Sequence, residues 1–268
     1  MLLDWIFAFN NRQKVALYSS DVSGAFDRVS RKRLIQKLNN AGVHFRIIRL
    51  ISSWLDERRA NVIVGGEQPD DIFLSDMVYQ GTVLGPILWN LFFGDARRAI
   101  QMLKFSESVF ADDLHACRNY DVKVPNRSIV ATAKKCQERL HEWGRANEVE
   151  YEASKESITI LSRVAPYGDN FKSLGVLFDP GLFMDDAIHK VYDSAMWKLR
   201  TVQRTTRFFT TIEMVNLYKS KVGSYIESKT AAIYHASQIL LARIDSVQTN
   251  FLRQIGLTEL DALCNYRL

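Results

Sequence analysis

Val109-Phe110-Ala111-Asp112-Asp113-Leu114-His115-Ala116-Cys117 is the stretch on which the reading of this chain turns. Apolar residues flank an acidic pair on both sides, the pattern of two short strands around a tight turn. Two carboxylates at the tip of such a hairpin face both mutual repulsion and desolvation, and a divalent cation removes that conflict. An ordinary polar hairpin turn is the alternative on this feature alone. Two further acidic pairs serve as controls. Asp70-Asp71 follows Pro69 in a polar loop, and Asp185-Asp186 stands where a helix begins, a place the helix dipole favours for acids. Both read as solvated.

Working outward, Lys14-Val-Ala-Leu-Tyr-Ser-Ser-Asp21 reads as a strand ending in a carboxylate. Paired beside the acidic hairpin, it would let Asp21 and Asp112 share two magnesium ions, hard cations that take oxygen ligands. Asp27 lies beyond the following turn and reads as a brace for the local backbone. The spacing of Asp21 and Asp27 fails the calcium-loop template. Gln80-Gly-Thr-Val-Leu-Gly-Pro86 is neither a phosphate loop nor a dinucleotide fingerprint. It offers a flexible entry to a helix, with an amide and glycines that can lie close against a base pair or a sugar.

The intervening segments alternate. Ser30 caps a helix with Leu34, Ile35 and Leu38 on one face and Gly42 as its stop; Phe45, Ile48, Ile51 and Leu55 mark a second. Val62-Ile-Val, Gly65-Gly66 and Ile72-Phe-Leu read as a hairpin. Gly85-Pro86 opens an apolar helix to about Arg98, with Trp89, Phe92 and Phe93 as core. A helix over 128–147 and strands at 157–161 and 174–178 follow, and helices alone from Asp185 on. The basic run Arg28, Arg31, Lys32, Arg33 and Lys37 reads as a solvated helix face ahead of a nucleic-acid grip. The pattern is α+β.

Composition supports a packed protein: 268 residues, 47% apolar, 24% charged and 11% aromatic. All five prolines and ten of thirteen glycines precede Gly181, so residues 1–181 and 182–268 read as two unlike parts, the second mainly helical. The net charge of +5 permits a nucleic-acid partner without arguing strongly for one. Three cysteines with no CxxC pair and five scattered histidines point away from structural zinc and disulfides. No apolar run reaches about 18 residues, and an acid stands where a signal peptide needs basic residues. The expectation is a soluble intracellular protein with no membrane partner, nuclear or cytoplasmic.

Taken in order and spacing, Asp21-Val-Ser-Gly-Ala-Phe-Asp-Arg-Val, Gln80-Gly-Thr-Val-Leu-Gly-Pro and Phe110-Ala-Asp-Asp resemble the palm of reverse transcriptases, above all those of LINE-type (non-long-terminal-repeat) retrotransposons. Lys155 resembles the family's lysine motif, and Leu174-Gly-Val its primer-grip turn. Leu217-Tyr-Lys and Val247-Gln-Thr-Asn-Phe-Leu-Arg253 resemble the thumb and the segment after it. The resemblance implies a right-hand polymerase: a palm (1–181) whose antiparallel sheet packs on helices, then an all-helical thumb (182–268). Only twenty residues precede Asp21, so fingers are expected to be largely missing and the chain to be a retroelement fragment.

Carried over, the resemblance makes Asp21, Asp112 and Asp113 catalytic. With the Val22 carbonyl, they would hold two Mg²⁺ ions, Mn²⁺ being a possible substitute. Phe26 would be the steric gate against a ribose 2′-hydroxyl. Gln80 and Gly81 would contact the incoming nucleotide and the template base, and Lys155 would stand near the triphosphate. The implied partners are an RNA template, a DNA primer and deoxynucleoside triphosphates. Tyr79 and Glu152 depart from the family, which usually has proline and asparagine there. A catalytically dead nucleic-acid-binding remnant and a two-metal nuclease or phosphatase are the competing expectations.

Overall fold

The computed structural model describes residues 1–56, 58–61, 63, 65, 72–74 and 77–266. Its internal contacts divide the chain into two units, Leu3–Leu161 and Ser162 onward.

The first unit is built on a four-stranded antiparallel sheet of order β4-β5-β1-β6. Strand β1 (Gln13–Asp21) lies between β5 (Asp113–Asp121) and β6 (Ser157–Leu161), and β4 (Ser106–Phe110) forms the edge beyond β5. Every residue of β1 from Lys14 to Asp21 is buried, which explains why Val15-Ala16-Leu17-Tyr18 runs apolar without alternation. The register pairs Leu17 with Cys117, Ser19 with His115 and Asp21 with Asp113.

Helices α2 (Arg31–Asn40), α3 (Phe45–Trp54), α4 (Gly85–Phe93), α5 (Ala96–Gln101) and α6 (Asn126–Asn147) supply the rest of this unit's core. That core joins Ala16, Tyr18, Leu34, Leu38, Ile51, Trp89, Phe92, Phe93, Leu140 and Ile160. The chain also opens with a helix that hydrophobic spacing does not reveal, α1 (Leu2–Asn10), whose Trp5 and Ala8 are buried.

Three expectations shift. The helix from Gly85 breaks at Gly94-Asp95, where the Asp95 carboxylate accepts from Lys37 Nζ (2.7 Å) and Trp143 Nε1 (2.8 Å). Lys37 also lies 4.3 Å from the Phe92 ring centre, and burial lowers its pKa despite the Asp95 charge. The strand partner of β3 (Ile72–Leu74) is β2 (Arg58–Ala60), ahead of the expected Val62–Val64 segment. Arg58 stacks over Trp54 and Tyr79, and Arg59 over Phe73, so cations on aromatic faces hold this ladder. Val62, Val64, Gly66 and the Asp70-Asp71 control lie outside the described residues.

Third, four of the five members of the basic run are paired rather than merely solvated. Arg28 meets Glu150, Arg31 meets Asp56, Arg33 meets Glu148 and Lys37 meets Asp95.

Close packing governs the end of α6. A Cβ on Gly144 would stand 2.7 Å from the Val149 carbonyl oxygen and 2.9 Å from the Tyr151 ring. Alanine gains about 1 kcal/mol in helix propensity. The overlap with a fixed carbonyl costs about 2–3 kcal/mol, and so it wins. Gly144→Ala therefore lowers Tm by about 4 °C in a thermal melt; an unchanged or raised Tm would show that the 149–151 turn yields freely.

In the second unit, a hairpin of β7 (Phe171–Ser173) and β8 (Val176–Phe178) turns at Leu174-Gly175 and β8 lies against α7 (Asp185–Gln203). The contact boundary thus falls before this hairpin, twenty residues ahead of the division that proline and glycine usage suggests. Helices α8 (Thr211–Tyr218), α9 (Ser224–Ile233), α10 (Gln238–Ile255) and the short α11 (Glu259–Asp261) follow. Leu199, Val202, Met214, Tyr218, Val247 and Phe251 form their core, with Tyr218 and Phe251 stacked at 4.3 Å. Asp185-Asp186 opens α7 and is exposed, as its control role requires. Among the described residues, no helix is long and apolar enough to cross a membrane.

Candidate active site

The acidic hairpin forms where its sequence implies, but its first strand and its tip are largely exposed rather than buried (Phe110 is 67% exposed). Desolvation therefore falls on Asp113 and not on Asp112. Phe110 pairs with Asp113, leaving Ala111 and Asp112 as the turn. Ala111 has φ +54°, a left-handed conformation unusual for a residue with a Cβ. Two hydrogen bonds hold it there. The buried Trp89 of α4 donates Nε1–H to the Ala111 carbonyl (2.8 Å), and Val22 N–H donates to the Asp112 carbonyl (3.0 Å). Sequence spacing marks Trp89 only as core; a tryptophan just after the glycine loop is the signal that it does more.

The carboxylates are set by β1–β5 pairing. Asp21 and Asp113 are direct cross-strand partners, and Asp112 precedes Asp113 on the turn. Asp21 is buried, Asp113 half-buried and Asp112 exposed. Burial raises the Asp113 pKa, and the Asp112 and Asp21 charges raise it further, against the opposing effect of Lys155.

Lys155 reaches this group from the other side of β1. Its Nζ donates to Asp21 Oδ2 at 2.6 Å, and that bond raises the lysine's pKa. The loop before it is stitched to the end of β1: Ser23 N–H donates to the Glu150 carbonyl, Glu152 N–H to the Asp21 carbonyl, and Lys155 N–H to the Glu152 carbonyl. Val22 and Tyr151 form an isolated bridge in the same seam. Glu152, the departure from asparagine, turns its carboxylate to Ser154 Oγ (2.9 Å).

Phe26 follows a turn at Gly24 (φ +59°) and stands half-buried, its ring 5.9 Å from that of Trp89. The Phe26 carbonyl accepts from Val78 N–H at 2.8 Å, which draws the glycine loop to the same place. In that loop Gln80 and Gly81 are exposed, Gly81 at φ +83°. Thr82 Oγ1 donates to the Tyr79 carbonyl and accepts from Gly85 N–H, closing the turn into α4. A Cβ on Gly85 would come within 3.0 Å of the Tyr79 oxygen and 3.6 Å of Phe26, so this glycine permits the close approach of the loop to Phe26. Tyr79, the departure from proline, packs edge-on against Trp54.

As donors, these groups suit a hard divalent cation: carboxylate oxygens only, mutually repelling, with a lysine ammonium already resting on Asp21. Among the described residues, no three His, Cys, Asp or Glu side chains converge as a ready metal cage.

Over residues 4–178 the chain matches the model of the family described as reverse transcriptase (RNA-dependent DNA polymerase). The chain belongs to the reverse transcriptase family. It is 28% identical over 184 residues to a Pol polyprotein from the type-1 retrotransposable element R2 of Popillia japonica, covering 60% of this chain and 30% of that protein. It is 25% identical over 260 residues to an RNA-directed DNA polymerase from the mobile element jockey of Drosophila funebris, covering 88% and 28%. The chain thus spans about 30% of the length of these curated relatives. Among solved structures it resembles apo telomerase from Candida tropicalis, at TM-score 0.52 and 12% identity over 95% of this chain and 49% of that one. A form of that telomerase lacking its C-terminal domain matches at TM-score 0.51 and 15% identity, over 69% and 39%. These likenesses establish the α+β polymerase fold.

Proposed function

We propose that this chain is the polymerase portion of a LINE-like retroelement, extending a DNA primer on an RNA template with deoxynucleoside triphosphates. The observation that carries this reading is the pairing of Asp21 with Asp113 across β1 and β5, Asp112 beside them, in a reverse transcriptase chain. Residues 1–181 serve as palm and 182–268 as helical thumb. In the second unit, which begins at Ser162, Lys172, Lys190 and Lys229 line one cavity beside Gly175, and Lys198 lies over Tyr225, a surface suited to a phosphate backbone.

Asp21, Asp112, Asp113 and the Val22 carbonyl would hold two Mg²⁺ ions, with Mn²⁺ as substitute. Such ions, when bound, lower the pKa of the primer hydroxyl and offset charge on the phosphates. The chain's own residues do the rest by position and charge. The primer 3′-hydroxyl gives its proton to water and its oxygen bonds to the α-phosphorus, while the bond from that phosphorus to the bridging oxygen breaks and its electron pair leaves with the diphosphate. Lys155 holds a proton for that departing group. Gln80 and Gly81 lie against the nucleotide and the template base, and Phe26 walls off the sugar's 2′ position.

Primer extension on an RNA template with Mg²⁺ or Mn²⁺ tests this reading. Incorporation that disappears in Asp112→Asn/Asp113→Asn supports it. No incorporation above that control, with nucleic acid still bound, would identify a non-catalytic remnant. Degradation that needs Asp21, without synthesis, would identify a nuclease. For the gate, Phe26→Val raises ribonucleotide over deoxyribonucleotide incorporation at least about tenfold, because one side chain's steric exclusion is worth about 1–3 kcal/mol. Unchanged sugar selectivity would remove Phe26 from that role.

A further inference from the structure

Glu156 adjoins Lys155 in sequence, yet its side chain is only 8% exposed. Four donors converge on its carboxylate. Tyr18 Oη (2.9 Å), His141 Nε2 (2.6 Å) and Ser20 Oγ (3.4 Å) meet Oε1, and Gln137 Nε2 (2.5 Å) meets Oε2. A buried carboxylate is costly unless it is bonded this fully, and an apolar residue would fill the same space without that cost. Burial, with the Glu156 charge contributing, raises the Tyr18 pKa, so the phenol stays a neutral donor.

The donors come from two elements. Tyr18 and Ser20 are alternate residues of β1, and Ser20 directly precedes Asp21. Gln137 and His141 lie one turn apart on α6. Tyr151 continues the cluster, its ring stacked on His141 at 5.2 Å and 7° and set over Gly144. One carboxylate therefore ties together the strand that carries Asp21, the helix behind it and the loop that carries Lys155. Lys155 itself is long and 60% exposed, so the place of its Cα decides whether its ammonium reaches Asp21.

We infer that Glu156 is a positioning residue, fixing the 150–156 loop on β1 and α6 so that Lys155 stands on the Asp21 carboxylate. Its catalytic consequence rests on the polymerase reading; the Lys155–Asp21 geometry does not. In the proposed reaction this would keep the lysine's proton beside the departing diphosphate.

The test uses the full chain as Glu156→Ala, Glu156→Gln and Tyr18→Phe, with Asp21→Asn as reference. Acylation of Lys155 by an N-hydroxysuccinimide ester is followed by peptide mass spectrometry, relative to Lys123 and Lys135. Glu156→Ala is expected to raise the Lys155 ratio about fivefold, toward that of Asp21→Asn. Tyr18→Phe should raise it less, and Glu156→Gln, which keeps the shape and one acceptor, should restore part of the protection. General loosening would raise all three lysines together and leave the ratio flat. An unchanged ratio in the folded variants overturns the inference; if Glu156→Ala does not fold, Glu156→Gln and Tyr18→Phe decide it by the same measure. Where incorporation is measurable, Glu156→Ala lowers kcat about tenfold with KM for the nucleotide within twofold, and Glu156→Gln recovers part of kcat. A wild-type chain without incorporation defeats the polymerase reading, while the acylation ratio still decides whether Glu156 positions Lys155.

Discussion

Asp21→Asn is expected to lower primer extension by about two to three decades and to leave the melting temperature within about 2 °C. The two magnitudes have separate origins. Charge placed where a transition state develops it is worth about 3–4 kcal/mol, which is two to three decades in rate. The fold has little to lose. Lys155, the partner of Asp21, is 60% exposed, and solvent screening leaves such a pair little weight in stability. Repulsion partly offsets even that. The Asp113 pKa is raised by burial and then by Asp112 and Asp21, so folding binds protons at this group. A carboxyl of this kind costs stability when ionised: the cost is present above its folded pKa and relieved as pH falls through it. Removing the Asp21 charge eases that cost, so the variant's stability depends less on pH across the range where Asp113 titrates. Primer extension beside a pH series of melts checks both halves. A variant that loses activity only because it unfolds would defeat the assignment, and retained activity would remove Asp21 from the chemistry.

What was legible in the sequence was local. The acidic hairpin declares itself within nine residues, since strand, turn and strand each carry their own signal. β1, α2, α3 and α6 follow from the spacing of their apolar residues, although the Ser30 hydroxyl expected to cap α2 makes no capping bond to its backbone. What stayed hidden depends on residues far apart in the chain. Arg28 and Arg33 read as solvated because their partners, Glu150 and Glu148, lie more than a hundred residues on. The strand Arg58–Ala60 is too polar to announce itself and depends on Trp54, Phe73 and Tyr79 beneath its arginines. Glu156 looks like any surface acid beside a lysine until β1 and α6 deliver their donors. The motif lysine was legible, but not its contact with Asp21, which follows from the backbone seam between residues 21–23 and 150–155. Sequence thus nominated the groups proposed to carry the chemistry, and long-range pairing brings them together.

Trp89 gives the largest expected loss of stability, and it separates packing from aim. The side chain is 1% exposed, with rings of Phe93 at 5.2 Å, Phe26 at 5.9 Å and Phe92 at 6.2 Å. Trp89→Ala leaves a cavity among them and costs about 3–5 kcal/mol, a fall in Tm of about 10 °C. Trp89→Phe keeps most of the packing and removes the indole bond to the Ala111 carbonyl. Ala111 is exposed, so water can replace that donor and the stability cost is only about 1 kcal/mol. The turn, however, holds a left-handed alanine directly before Asp112, and it loses the tether from α4. Misplacing a reacting group by about 1 Å can cost two decades in rate. Trp89→Phe is therefore expected to lose activity at least tenfold, out of proportion to a Tm drop of about 3 °C. Paired melts and single-turnover extension on both variants decide the matter. If Trp89→Phe keeps full activity, the indole is packing alone, and the aim of Asp112 and Asp113 comes from the β1–β5 ladder and the Val22 bond.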